Sequence, residues 1–272
     1  MALLSPAASP PGAPALQWLL SGFVLLVVGL AALTINRRHG KLESPQGTVR
    51  ALLYALVYGL CAACFARVLQ SAMLGTEQSP WLLALGDVIF VTLGVFVWVM
   101  VIAENRPLAA IGFRGAQPGR LLLSLLMGFG AVAFFASGPW LAILRGQVHV
   151  TTDRLVWALL FASVGSALPE EILFRGYLMG SLNGRVRRWS RVVIPALAFT
   201  AVRALRYVPG PELSTSAWVL YLAGVVLPLG LWWGLMREIA GGSLWPSLAS
   251  HFLLEFVNAI AGASPAHSAL NS

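Results

Sequence analysis

Two adjacent glutamates and one arginine stand inside a long apolar stretch of this 272-residue chain, in the order Pro-Glu170-Glu171-Ile-Leu-Phe-Arg175-Gly. An acidic side chain at the centre of a bilayer costs about 2.5–3.5 kcal/mol on insertion scales, so charges retained there indicate a functional site. Successive residues of an α-helix point about 100° apart, so the two glutamates face different partners. Glu171 and Arg175 have the i, i+4 spacing of a helical ion pair, which leaves Glu170 as the working carboxylate.

Pro169 directly precedes the glutamate pair. Proline removes one backbone hydrogen bond and clashes with the preceding turn, so we expect the helix to kink or restart there. The glutamates would then lie in the first turn of the continuing segment, where the helix dipole stabilises carboxylates. Further along, Gly176, Gly180 and Gly184 recur every four residues and predict a helix face that packs closely against a neighbour.

A second set of polar side chains lies in the last apolar segment. His251, Glu255 and Asn258 follow an i, i+4, i+7 pattern and form one polar stripe on a helix. A single buried histidine is more often a satisfied core residue than a catalyst, but three polar groups on one intramembrane stripe favour a site. With Arg203, a further intramembrane charge, the candidate catalytic residues are Glu170, Glu171, Arg175, Arg203, His251, Glu255 and Asn258.

The elements that must position these residues are typical of a membrane protein. The chain is 58% hydrophobic and only 10% charged, and several apolar runs have about 20 residues, the length that spans a bilayer. We predict an all-α, polytopic membrane helix bundle of about eight transmembrane helices, at Ala15–Ile35, Val49–Ala72, Trp81–Ala103, Leu121–Leu144, Leu155–Leu182, Val192–Tyr207, Ala217–Met236 and Trp245–Gly262. This divides the chain into a tail at 1–14, N-terminal transmembrane helices at 15–104, a domain with the candidate site at 105–262 and a tail at 263–272.

The basic residues predict the orientation of the bundle. If the N-terminus is outside, the inward connections carry 12 of the 18 basic residues, namely Arg37, Arg38, Lys41, Arg50, Arg106, Arg114, Arg120, Arg185, Arg187, Arg188, Arg191 and Arg237. The positive-inside rule therefore predicts that both termini lie outside, and we expect a multi-pass protein of a bacterial plasma membrane.

The net charge of +8 would then lie mainly on cytoplasmic loops that face anionic lipid headgroups. Nucleic acid is excluded as a partner, because the chain lacks a basic soluble face. Tryptophans such as Trp233 fall near predicted span ends, as interfacial aromatics do.

Taken together, these motifs resemble the CPBP family, the CAAX proteases and bacteriocin-processing enzymes also called the Abi family, which are polytopic, glutamate-dependent intramembrane endopeptidases. The resemblance covers about residues 105–260. It is carried by Glu-Glu-x-x-x-Arg, by Pro-Leu-Ala-Ala-Ile-Gly-Phe-Arg before the fourth span, and by Gly-Ser-Leu-Trp-Pro-Ser-Leu-Ala-Ser-His near the end. It implies cleavage of hydrophobic or prenylated peptide tails, with Glu170 as the base that activates water. A second-motif histidine would be its partner on water or metal, and a His/Asn pair would stabilise the tetrahedral oxyanion.

Two positions depart from the family motifs. Phe-x-x-x-His reads Phe199-Thr-Ala-Val-Arg203 here, and His-x-x-x-Asn reads His251-Phe-Leu-Leu-Glu255. A guanidinium has no free lone pair, so Arg203 argues against a zinc site and we expect no cofactor. The two replacements have opposite charges and lie at matching depths in their spans, so we predict a salt bridge between Arg203 and Glu255. We expect it inside a polar cavity of the fifth, sixth and eighth spans, lined by Glu170, Glu171, Arg175, Arg203, His251 and Glu255.

Three functions remain open from the sequence. In the first, proteolysis is retained: Arg203 polarises the scissile carbonyl, His251 stays near the water and Asn258 replaces the lost asparagine. In the second, the chain is a catalytically inactive family member with a structural, chaperone or regulatory role in the membrane. A small-solute transporter is a lesser alternative, since broken helices and intramembrane charges also build transport sites, but the two halves show no paired inverted pattern.

Overall fold

The computed structural model describes residues 42–73, 93–206 and 214–261, and every regular element within these ranges is helical. The predicted all-α fold is therefore confirmed for this part of the chain. The predicted span at 15–35, the first part of the span at 81–103 and both tails lie outside the described residues.

Eight helices follow one another within the described ranges. They are α1 Pro45–Met73, α2 Leu93–Glu104, α3 Pro118–Phe135, α4 Ser137–Leu144, α5 Thr152–Ser181, α6 Arg188–Arg206, α7 Thr215–Ile239 and α8 Trp245–Ala261. Helices α3, α5 and α7, and α1 over Pro45–Cys64, are long and apolar enough to cross a membrane, and α2 is a shorter apolar helix. Large apolar side chains such as Leu122, Leu126 and Phe134 are exposed on the outside. These are the helices of an integral membrane protein.

The fourth predicted span is two helices. Helix α3 ends at Phe135, and α4 begins at Ser137 after Ala136, whose backbone leaves the helical region. Ser137 Oγ donates a hydrogen bond to the Phe134 carbonyl at 3.0 Å, and Pro139 follows two residues later. Because proline lacks a backbone donor and clashes with the preceding turn, α3 cannot continue through this point. The prediction of one span from Leu121 to Leu144 is therefore wrong.

Helix α5, which carries both glutamates, does not restart at Pro169. The residues on either side of Leu168–Glu170 keep helical angles, and π-helical stretches flank this segment at Phe161–Ala167 and Glu171–Leu178. In a π-helical stretch the backbone hydrogen bonds join residues i and i+5. The helix can therefore continue through Pro169, which has no N–H to donate. The helix changes its hydrogen-bond pattern at Pro169 but does not restart there, so it offers the glutamates no free N-terminus and other side chains must compensate their charge.

Helix α5 is the central helix of the bundle. Its apolar window is 56% buried inside the protein, compared with 22% for α3. Helix α6 packs against α1 and α7, and α8 packs against α3 and the π-helical part of α5. This arrangement brings the middle of α5 next to the middle of α6 and α8.

The predicted glycine face is only partly a packing face. A Cβ at Gly176 would lie 3.0 Å from the Ile111 carbonyl oxygen, and one at Gly180 would lie 3.2 Å from Leu42 Cδ2. These two glycines therefore permit close approach. Gly184 has no neighbour within 4 Å and a φ of +70°, so it serves the turn after α5 instead.

Gly94→Ala tests the contact between α2 and α5. A Cβ at this position would lie 2.1 Å from the Val164 carbonyl oxygen, which belongs to a backbone that cannot move freely. We expect the free energy of unfolding to fall by about 1–3 kcal/mol, as in overpacked cores. Thermal unfolding of the full chain in detergent measures this, with Gly130→Ala in α3 as the control.

A Cβ added at Gly130, the control position, would have no other atom within 4 Å. Alanine is the better helix former, so Gly130→Ala should leave stability unchanged or raise it slightly. Equal melting temperatures for the two variants would contradict the packing of α2 on α5.

Candidate functional site

Six of the seven predicted site residues meet between α5, α6 and α8. Glu170, Glu171 and Arg175 come from α5, Arg203 from α6, and His251 and Glu255 from α8. Burial is almost complete, since Glu171, Arg175 and His251 are 0% exposed and Glu170 is 1% exposed. We refer to these six residues as the charged cluster.

Arg203 lies at the centre of the charged cluster. Its Nη2 donates to Glu170 Oε2 at 2.6 Å and to Glu255 Oε1 at 2.8 Å, and its Nε donates to the same Glu170 oxygen at 3.1 Å. Ser166 Oγ lies 3.2 Å from the same Nη2. The predicted Arg203–Glu255 salt bridge is therefore present, and the same guanidinium also binds Glu170.

Glu171 makes a second set of contacts on the other face of α5. Its Oε1 lies 3.1 Å from Arg175 Nη1, which confirms the predicted i, i+4 ion pair, and 3.0 Å from His251 Nδ1. Arg175 also donates from Nη2 to the Gly230 carbonyl on α7 at 3.0 Å. The two glutamates thus face different partners, as the helix geometry predicted, although Glu170 is not free.

Two aromatic side chains hold the cluster in place. Trp233 stacks on the His251 ring with centroids 3.9 Å apart, and its Nε1 donates to Ser250 Oγ at 3.1 Å. The Arg175 guanidinium lies over Phe199 at 4.8 Å and over Trp233 at 5.3 Å, distances of favourable cation–π contacts. The prediction of an interfacial Trp233 is wrong, because this side chain is 1% exposed.

His251 contacts the carboxylates of the cluster with both ring nitrogens. Its Nδ1 lies 3.0 Å from Glu171 Oε1, so this nitrogen carries a proton and donates to the carboxylate. Its Nε2 lies 3.3 Å from Arg203 Nη2 and 3.6 Å from both Glu170 Oε2 and Glu255 Oε1.

A cavity of about 300 Å³ lies beside the cluster. Its walls are mostly apolar and come from α3, α4, α6, α7 and α8, with Phe135, Pro139, Phe199, Arg203, Tyr221, Val225, Val226, Leu229, Trp233, Leu254, Glu255 and Asn258 as lining residues. Of the predicted site residues, only Arg203, Glu255 and Asn258 line it. Glu170, Glu171, Arg175 and His251 lie behind Arg203, Phe199 and Trp233. The prediction that all six charged-cluster residues line one open cavity is therefore wrong.

The cluster does not fit a metal ion. The Arg203 guanidinium takes the space where Glu170, Glu255 and His251 Nε2 converge, and it offers no lone pair to a cation. Within the three described ranges, no group of three or more His, Cys, Asp or Glu side chains is arranged to hold a metal.

Sequence reasoning missed three residues of the site. Ser166 and Gly230 contribute only a hydroxyl and a carbonyl, and neither residue type marks a site in an apolar segment. The position of Trp233 near a predicted span end indicated a membrane interface, whereas the structure places it against His251. Its stacking on His251 depends on the rotation of α7 against α8, which the sequence pattern does not specify.

Comparison with known proteins supports the resemblance inferred from the motifs. Residues 152–257 match a family model described as Rce1-like, type II CAAX prenyl endopeptidase Rce1-like. The match begins at the first residue of α5 and includes every member of the charged cluster. The family resemblance is confirmed for this segment, whereas residues 105–151 lie outside the match. Neither the curated proteins nor the solved structures contain a match to this chain.

Arg203→Met tests whether the arginine compensates the buried carboxylates. The change leaves Glu170 and Glu255 without this partner, and loss of one member of a buried ion pair typically costs about 3–5 kcal/mol. We expect a loss of this size in the free energy of unfolding, measured by denaturation of the full chain in detergent. Adding Glu170→Gln and Glu255→Gln should restore much of the stability, because no unpaired charge then remains.

Arg188→Met is the matched control. This arginine is 58% exposed and reaches Glu238 only at 3.7 Å, so its loss should cost less than about 1 kcal/mol. If Arg203→Met were as stable as the control variant, the compensating role of Arg203 would be wrong.

Proposed function

We propose, from the family match over residues 152–257 and the geometry of the site, that this chain is an intramembrane endopeptidase of the CAAX-protease type. Its substrates are hydrophobic or prenylated peptide tails, and its place is the plasma membrane of a bacterium, as a multi-pass protein. The observation that carries the proposal is the position of Glu170 and His251 behind a largely apolar cavity whose polar lining includes Arg203, Glu255 and Asn258. Such a cavity suits an apolar peptide tail with one polar bond to be cleaved.

In this proposal Glu170 is the general base. It takes a proton from water while the water oxygen attacks the carbonyl carbon of the peptide bond, and it returns the proton to the departing amine. Arg203 must first release Glu170 and remain bound to Glu255 on the cavity side. From there its N–H groups donate to the oxyanion that forms, with Asn258 as a second donor from the cavity wall. His251 positions the water through Nε2.

A second candidate function has its own supporting observation. Two nitrogens of Arg203 bind one oxygen of Glu170, at 2.6 and 3.1 Å, so the guanidinium occupies the place from which Glu170 would take a proton from water. If Arg203 keeps this position permanently, the chain is a non-catalytic relative that binds apolar segments in a structural, chaperone or regulatory role.

Glu170→Gln tests the catalytic proposal. Full-length protein in liposomes is incubated with a prenylated CAAX-type peptide and with an unmodified hydrophobic peptide, and the cleavage products are identified by mass spectrometry. General-base catalysis contributes typically about 100-fold or more, so the variant should lose at least that factor in kcat. Asp153→Asn, an acidic residue in the first turn of α5 and far from the cluster, should cleave like wild type. Equal cleavage by wild type and Glu170→Gln would remove the enzymatic proposal.

The double variant Arg203→His with Glu255→Asn separates the two candidate functions. It restores both family motifs and removes a positive and a negative charge together, so the cluster stays balanced. If wild type is inert and the double variant cleaves in a Glu170-dependent way, the wild-type chain is the non-catalytic relative. If wild type cleaves and the double variant has a lower kcat, Arg203 takes part in the reaction.

A further inference from the structure

A buried arginine outside the charged cluster has a side-chain nitrogen without an acceptor among the described residues. Arg237 lies in the last turn of α7 and is 7% exposed. Its Nε is fully buried and has no hydrogen-bond acceptor in the described part of the chain. A buried charge is normally paired, because its desolvation costs several kcal/mol.

The nearby carboxylates are already bound to other residues. Glu238 attracts Arg237 most strongly, from beyond ion-pair distance, but it lies 2.9 Å from Arg191 and 3.7 Å from Arg188. Glu171 attracts Arg237 only from beyond ion-pair distance and is bound to Arg175 and His251. The charges of Arg114 and Arg191 meanwhile repel the Arg237 guanidinium.

The end of α7 compensates little of this charge. A helix C-terminus attracts cations through its free carbonyl groups. Here the Met236 carbonyl accepts from Ser124 Oγ at 3.1 Å and from the Ala240 amide at 2.9 Å, and the Arg237 carbonyl accepts from the Gly242 amide at 2.8 Å. The last carbonyls of the helix are thus largely satisfied, which leaves only the weak dipole term of about 0.3–1 kcal/mol.

Two further arginines lie around the turn that follows α7. Gly241 and Gly242 have φ angles of +67° and +89°, and the Gly241 carbonyl accepts a hydrogen bond from Arg114 Nη2. Glycine is favoured at both positions because L side chains rarely adopt these positive φ angles. Arg120 Nη1 lies 3.8 Å from the place of a Cβ at Gly241. Arg114 and Arg120 are exposed, so this group of arginines is open to the surface.

We propose that Arg237, Arg114 and Arg120 bind the phosphate group of an anionic lipid headgroup at the end of the bundle that carries the Arg-rich connections. A phosphate oxygen supplies the acceptor that Arg237 Nε lacks, and arginine binds phosphate through parallel N–H groups. Among the described acids at this end, Glu43 accepts a hydrogen bond from Asn183 and Glu104 pairs with Arg50 and Arg106. An external anion is therefore the partner that fits, and a membrane surface presents phosphate at this level.

Arg237→Gln tests this site in the full-length protein. Wild type and variant are placed in nanodiscs of phosphatidylcholine, with or without phosphatidic acid, and bound lipid is counted by native mass spectrometry. Charge-assisted hydrogen bonds contribute about 1.5–3 kcal/mol, so the variant should lose roughly 10- to 100-fold in apparent affinity for phosphatidic acid. Arg188→Gln, which removes an exposed charge from the same end, should stay within about two-fold of wild type.

The outcomes separate the sources of the phosphate. Equal binding of phosphatidic acid by wild type and Arg237→Gln overturns the proposal. A parallel arm measures the melting temperature in detergent with inorganic phosphate. If phosphate raises it for wild type while phosphatidic acid does not bind, the lipid assignment is overturned. If Arg237→Gln does not fold, Arg114→Gln replaces it, because this exposed arginine should still contribute at least several-fold to the affinity. None of these measurements depends on peptide cleavage.

Discussion

The structure depends on one guanidinium that bridges two buried carboxylates. Arg203 binds Glu170 at 2.6 Å and Glu255 at 2.8 Å, and it thereby joins α6 to both α5 and α8. Glu170 is 1% exposed and Arg203 5% exposed, so little solvent reaches these charges and each needs a partner inside the protein. Movement of any one of the three helices would separate a pair, and the ion pairs therefore fix their relative rotation.

A second layer of contacts makes this arrangement rigid. Glu171 is bound to Arg175 and His251 at the same depth, and Arg175 extends the network to the Gly230 carbonyl of α7. Trp233, stacked on His251, closes the space between the network and the cavity. The charged cluster thus has a buried side, which is fully packed, and one side on which Arg203 and Glu255 reach the cavity. A molecule in the cavity therefore contacts the charged cluster at Arg203 and Glu255, and the residues behind them are reached only if Arg203 moves.

The sequence predicted contacts that follow from spacing within one helix or from depth in the membrane. The Glu171–Arg175 pair follows from i, i+4 spacing, and the Arg203–Glu255 bridge from opposite charges at matching depths. The Arg203–Glu170 contact was not predicted, because it depends on the rotation of α6 against α5. That rotation is affected by the π-helical stretches around Pro169, which have no reliable sequence signal. The position of Trp233 and the separation of the cluster from the cavity were missed for the same reason.

The replacements at positions 203 and 255 compensate each other energetically, so neither is expected to be stable without the other. Arginine alone at position 203 would leave its second contact empty, and glutamate alone at position 255 would be a buried unpaired anion, whereas together they form a 2.8 Å pair. The pair preserves the fold, but it also places a cation on Glu170, the proposed general base. Glu255, with 12% of its side chain exposed to the cavity side, is the more accessible end of the bridge. A substrate that fills the cavity would therefore reach the Arg203–Glu255 contact first, and whether Arg203 then leaves Glu170 decides between a working and an inert site.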